Sequence, residues 1–148
     1  VQRFLRGDSE VVIKRHLINL DAHPYLPEGW TLVEHRQDGQ FTWDLRKVGF
    51  HLVPKQQNGK VIGNELRQAL KDQPVLNANV LDYLLVNPQL IPEEWKGKNV
   101  FFWGTIYRTT IGHLCVRYLR WISGQWGWCC RWLGDGWDDW SPATVSQV

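Results

Sequence analysis

Residues 100–108 (VFFWGTIYR), 113–121 (HLCVRYLRW) and 125–133 (QWGWCCRWL) decide how this chain is read. β-Branched and aromatic residues crowd all three stretches, and the turns TTIG and ISG separate them. They predict three consecutive antiparallel strands in a meander. Side chains of one parity share a strand face, so Trp126, Trp128 and Trp132 are expected on one side and Gly127, Cys129 and Arg131 on the other. One face should be a wall of indoles.

Upstream, residues 77–86 (NANVLDYLLV) place Val80, Leu81, Leu84 and Leu85 at helical spacing, and Asn87-Pro88 ends the run. Residues 63–71 (GNELRQALK) set Leu66 and Leu70 four apart, with Asn64 as the expected cap. Both stripes read as core. Ile91-Pro92-Glu93-Glu94 predicts one more helical turn, because proline suits a first helical position and carboxylates suit the positive end of the dipole. Nearer the start, residues 11–20 (VVIKRHLINL) predict a strand that HPYLPEGW breaks. Residues 30–36 and 41–45 flank Asp38-Gly39, a hairpin signal. Residues 48–53 (VGFHLV) alternate as a further strand, which PKQQNGK closes as a turn. The expectation is a single α+β domain over 1–148. Strands and a hairpin fill 1–60, helices 61–98, and a tryptophan-rich antiparallel β part, carrying the binding surface, 99–148.

A chain of 148 residues can bury a core without metal or disulfide support. Its 17 basic and 15 acidic residues are spread along the chain, which leaves no electrostatic footprint for nucleic acid. The longest apolar runs, such as 100–103, are too short to span a bilayer, and the start lacks the pattern of a signal peptide. No membrane insertion is expected, and the cytoplasm is the favoured location. A chain that begins at Val1 and holds no methionine leaves trimming or a removed leader open. Cys115, Cys129 and Cys130, odd in number with two adjacent, suit neither a disulfide framework nor a zinc site and predict free thiols.

Ten tryptophans occur in the chain, six of them within residues 121–140, so this end needs its own explanation. Core burial accounts for Trp126, Trp128 and Trp132. Trp137 and Trp140, in the polar stretch GDGWDDWS, are the candidates for exposure and for stacking on a sugar or another flat ligand. From Asn99 onward there is no Lys and no Glu, whereas the first 98 residues hold seven Lys and six Glu. Between the tryptophans stand Ser, Gly, Cys, Arg and Asp in no consistent period. The pattern is that of a fixed frame around unrelated fillers.

Strands, two helices and a terminal set of strands, with LIPEEWKGK (90–98) leading into VFFWGTIYR and a tryptophan-rich end, make a layout. Over residues 48–148 it is similar to that of the variable proteins of diversity-generating retroelements. The resemblance implies a C-type-lectin-like fold and a non-catalytic ligand-binding protein whose C-terminal surface residues are hypervariable through adenine-specific mutagenesis. Asn codons of the AAC type, randomised at adenine, yield Ser, Gly, Cys, Arg or Asp but never Lys, Glu, Met or Trp. Ser123, Gly124, Gly127, Cys129, Cys130, Arg131, Gly134, Asp135, Gly136, Asp138 and Asp139 fit that rule, and Gln125 does not. With Arg120, Gln125, Trp137 and Trp140 added, these residues are the expected ligand-binding set. Arg120 and Arg131 offer planar donors to a carboxylate or a cation to an aromatic face. The ligand is expected to be a protein or a glycan, the latter bound with fixed specificity by exposed tryptophans in the alternative reading.

No catalytic constellation emerges. His16, His23, His35, His51 and His113 are scattered without metal-ligand spacing. Asp135, Asp138 and Asp139 lack the alternation of a calcium loop and read as a solvated turn. Glu93 and Glu94 are explained by the helix dipole rather than by glycoside hydrolysis. Cys129 and Cys130 beside Arg131 could have a lowered thiol pKa, but no histidine stands near in sequence to make a nucleophile pair. Neither a cofactor nor a metal is expected.

Overall fold

A computed structural model describes residues 15–147. Its strands are β1 (Leu17–Asn19), β2 (Thr31–His35), β3 (Gln40–Thr42), β4 (Val48–His51), β5 (Val61–Ile62), β6 (Val100–Phe101), β7 (Thr105–Arg108), β8 (Leu114–Ile122), β9 (Gln125–Trp132), β10 (Gly136–Trp137) and β11 (Ala143–Ser146). Three α-helices, α1 (Pro54–Gln57), α2 (Gly63–Ala69) and α3 (Ala78–Val86), precede a 3-10 turn at Glu93–Gly97. The fold is mixed α+β and built mainly of sheet. Of the expected first strand, residues 11–14 lie outside the described part, and Leu17–Asn19 forms β1.

Strand β8 is the axis of a seven-stranded sheet. β9 runs antiparallel along one side of it, from Cys115↔Trp132 to Ile122↔Gln125. On its other side β6 and β7 lie end to end, paired as Phe101↔Tyr118 and Tyr107↔Cys115. β2 continues the sheet beyond β7, while β11 and then β4 continue it beyond β6. The expected meander is present, but its first strand is split. Gly104 explains the break, because a Cβ there would stand 2.8 Å from the backbone of Asn77. Its N–H donates to Leu76 O at 2.9 Å and its carbonyl accepts from Arg36 N at 2.8 Å. The chain leaves the ladder at this point to dock on the start of α3.

α3 is capped by Asn77, whose Oδ1 accepts from Asn79 N while Nδ2 donates to Leu20 O and Arg36 O. Val80, Leu81 and Leu84 are buried with Val100, Phe102, Leu119 and Trp95 on one side of the sheet. Leu66 of α2 and Leu70, which follows its last turn, are buried with Phe101, Val116, Tyr118, Leu133 and Trp137 on the other. His35 ties this core to the first strands. Its Nε2–H donates to Leu20 O and Ala22 O, while Nδ1 accepts from Thr105 Oγ1, the same oxygen that accepts from Ala78 N. Burial lowers its pKa below 6.5, since the imidazolium would lose hydration there.

Three local expectations are corrected. Asp38-Gly39 does not close a hairpin, because β2 pairs with β7 and β3 with β1. Gly39 does take the positive φ of a tight turn, 83°, but that turn docks on residues 19–22 through Gly39 O and N rather than joining paired strands. PKQQNGK contains the short helix α1 with proline at its start. Asn64 does not cap α2. The helix begins at Gly63, and the N–H groups of Gly63 and Asn64 donate to Asp135 O and Leu133 O, both at 2.9 Å. Among the described residues no helix is long and apolar enough to cross a membrane.

Candidate functional site

The β8–β9 hairpin separates its side chains as strand parity demands. Facing α3 are Arg117, Leu119 and Trp121 of β8 with their cross-strand partners Cys130, Trp128 and Trp126. Trp128 is boxed by Tyr25 and Trp30, both edge-on, and carries the Arg117 guanidinium 4.2 Å from its ring centroid. Arg117 is buried and makes a bidentate pair with Asp82 of α3, at 2.8 and 2.9 Å. Burial opposes its charge, but the carboxylate holds it protonated. Trp121 meets Trp126 edge-on at 5.4 Å and lies under Lys96 Nζ at 3.9 Å. These indoles are thus engaged by the protein itself. Trp132, at the end of β9, is 41 % exposed and stacks on His113 at 4.1 Å.

Val116, Tyr118, Arg120 and Ile122 with Arg131, Cys129, Gly127 and Gln125 form the opposite face. Val116 and Tyr118 are buried under α2, whereas Arg120 and Ile122 lie beyond that cover. Gly127 is the gap in the surface. Among the described residues nothing stands within 4 Å of where its Cβ would be, and its φ is not of the left-handed kind. Gly134 is open in the same way. Ser123 (φ 56°) and Gly124 (φ 78°) form the exposed two-residue turn, so these two positions favour residues that tolerate left-handed backbone. Cys129 packs against the Tyr118 side.

Arg131 is anchored rather than free. Its guanidinium lies 4.9 Å from the Phe101 centroid, 5.4 Å from Tyr118 and 5.2 Å from Trp137, and it donates to Ser141 Oγ at 2.9 Å and Gly136 O. No carboxylate pairs with it among the described residues. The following loop is held by a residue that sequence reasoning passed over. Gln56 of α1 is buried, accepts from Val53 N, and donates through Nε2 to Asp138 O and Ser141 O. A glutamine in a polar turn sequence gives no sign of such a role, because the partner is more than eighty residues away.

Two of the expected site residues fall elsewhere. Trp137 is 0 % exposed, sits in β10 paired with β5, and packs against Phe101 and Trp103. Its polar neighbours Gly136 and Asp138 hid the fact that a two-residue strand carries it into the core. Gly63 must be glycine for the same reason, since a Cβ there would stand 2.4 Å from the Trp137 ring. Cys130 faces α3 with Cys115 and is therefore not on the face of Cys129 and Arg131. Asp135 and Asp139 are exposed, while Asp138 is half-buried and accepts from Trp140 N. Trp140 is 57 % exposed, with Lys98 Nζ 5.3 Å from its ring centroid. No group of three His, Cys, Asp or Glu is placed to hold a metal among the described residues.

Comparison with known proteins returned no matching family model, no matching curated protein and no matching solved structure.

Proposed function

We propose that this is a C-type-lectin-like, non-catalytic ligand-binding protein whose C-terminal surface residues are diversified by a retroelement. One observation carries the reading. Trp121, Trp126 and Trp128 are locked against α3 and its flanking turn, while the open positions Gly127 and Gly134 lie outside that packed frame, at backbone angles any residue can adopt. Side chains at such positions can change without disturbing the core, which is what a diversified surface on a rigid scaffold requires. Arg120, Ser123, Gly124, Gln125, Gly127, Gly134, Asp135 and Asp139 are the residues we assign to it, while Arg131 and Cys129, expected in the same set, are held by the core.

The gene itself provides the test. An excess of codons ending in C at the small and polar positions of residues 123–139, with a near-copy of that DNA beside a reverse transcriptase gene, is the expected result. Ordinary codon usage with no near-copy overturns the reading. The protein or glycan it binds differs from variant to variant on this view. A fixed carbohydrate site is the second reading, and the exposed ring of Trp140 favours it. Glycan-array binding abolished by Trp140→Ala is its expected signature.

A further inference from the structure

On the α3 side of the hairpin, Cys115 pairs with Trp132 and Arg117 with Cys130. Cys115 and Cys130 are therefore diagonal neighbours on one face, and both pack with Ala78 and Tyr107. Such neighbours stand roughly 7–8 Å apart at the backbone, with their side chains closer. Both side chains therefore enter the same small cluster under the start of α3. Directly across from Cys130 is Arg117, whose Nε–H finds no acceptor among the described residues. Cys115 is fully buried, and Cys130 is half-buried on β9, which has only β8 as a strand partner among the described residues.

We propose that Cys130 and Cys115 form a peroxide-reactive dithiol, with Cys130 as the attacking sulfur and Cys115 as the resolving one. The Cys130 thiolate attacks one oxygen of a hydroperoxide, the O–O bond breaks, and the departing oxygen takes a proton to leave as water or an alcohol. Cys130 is then a sulfenic acid. The Cys115 sulfur displaces its hydroxyl as a second water and closes an S–S bond. Two thiols are oxidised and one hydroperoxide is reduced.

The electrostatics support that order of events. The Cys115 thiol, its neighbour on the same face, holds the Cys130 thiol below its ordinary range, and Arg117 acts in the same direction against the effect of burial. The influence of Cys130 together with burial pushes the Cys115 thiol up. The thiolate therefore forms on the more exposed sulfur. Diagonal spacing lies just beyond the usual backbone span of a disulfide, so the bridge closes only if β9 is drawn toward Cys115. A bridge made under strain is easily reduced, which suits a reversible switch. It would staple to β8 the strand that carries Gly127, Cys129 and Arg131. Cys129 lies on the opposite face and serves as an internal control.

The test is to treat the full chain with a few equivalents of hydrogen peroxide, block remaining thiols, and map the peptides without reduction. A Cys115–Cys130 cross-link reversed by dithiothreitol is expected, with Cys130 oxidised roughly tenfold faster than Cys129. In Cys115→Ser, Cys130 should stop at a sulfenic acid that dimedone traps, while Cys129→Ser reacts like the parent chain. Oxidation that starts at Cys129, an intermolecular bridge as the main product, or Cys130 reacting no faster than Cys129 overturns the proposal. The map of the unsubstituted chain decides this even where Cys115→Ser fails to fold. Codon evidence against diversification would leave the dithiol standing, and unreactive thiols would leave the diversified surface standing.

Discussion

One face of the β8–β9 hairpin holds Trp121, Trp126, Trp128 and Trp132 with a single arginine, the other Tyr118 with Arg120 and Arg131, and the rest of the protein covers the first more completely than the second. On the α3 side, Arg117 has its carboxylate, Trp128 has Tyr25 and Trp30 around it, and Trp121 has a cation over its ring. On the other side, cover by α2 and the 133–145 segment extends over Val116, Tyr118 and Arg131 and stops short of Arg120 and Gly127. The difference teaches that indole content does not mark the open surface of this hairpin. Rings with partners inside the molecule hold the strands in place, and the proposed exchangeable positions are those left without such partners.

The sharpest way to break this comparison is at the two tryptophans of the GDGWDDWS stretch. Trp137→Ala should cost about 3–5 kcal/mol, since it empties a core site, whereas Trp140→Ala should change stability by less than about 0.5 kcal/mol. Chemical denaturation of both variants measures the contrast, and equal losses would show that the loop is not divided as described. Asp82→Ala should come next, at about 3 kcal/mol, because it strands a buried guanidinium. A loss no larger than that of a surface pair would mean that Arg117 escapes to water.

Smaller effects sharpen the picture. His35 has a lowered pKa in the folded chain, so the unfolded chain binds its proton first on acidification. The stability it supports should be complete above pH 6.5 and be lost as pH falls through the folded value, and His35→Gln should flatten that part of a pH series of denaturant melts. Removing the cation over Trp121 with Lys96→Ala should cost about 0.5–1 kcal/mol and alter indole fluorescence. Gly127→Ser and Gly127→Asp should be nearly neutral, within about 0.5 kcal/mol in the same melts. A large loss at Gly127 would remove the main support for an exchangeable surface.

Much of the scaffold could be read from residues 77–133 alone. The spacing of Val80, Leu81 and Leu84 is a local signal, and so is the alternation that sends Trp126 and Trp128 one way and Gly127 and Cys129 the other. The Asp38-Gly39 hairpin failed as a prediction because a turn signal states only that the chain reverses, not which strands then pair. Arg117 left one faint trace, a lone charge within the apolar run LCVRYL, whose partner Asp82 lies on a helix thirty-five residues away.

Strand parity and helical spacing were determined by the sequence itself, because each depends on residues a few positions apart whose side-chain directions are fixed by backbone geometry. The same periodicity puts Trp126, Trp128 and Trp132 on one face, but of the three expected in the core Trp126 and Trp128 are half-buried and Trp132 is 41 % exposed. Only the tertiary structure decided that Trp137 is core and Trp140 surface, that Gln56 pins the last loop, and that Cys115 meets Cys130. Each of these depends on which distant segment fills the space beside a residue, and a pattern along the chain does not encode that distance.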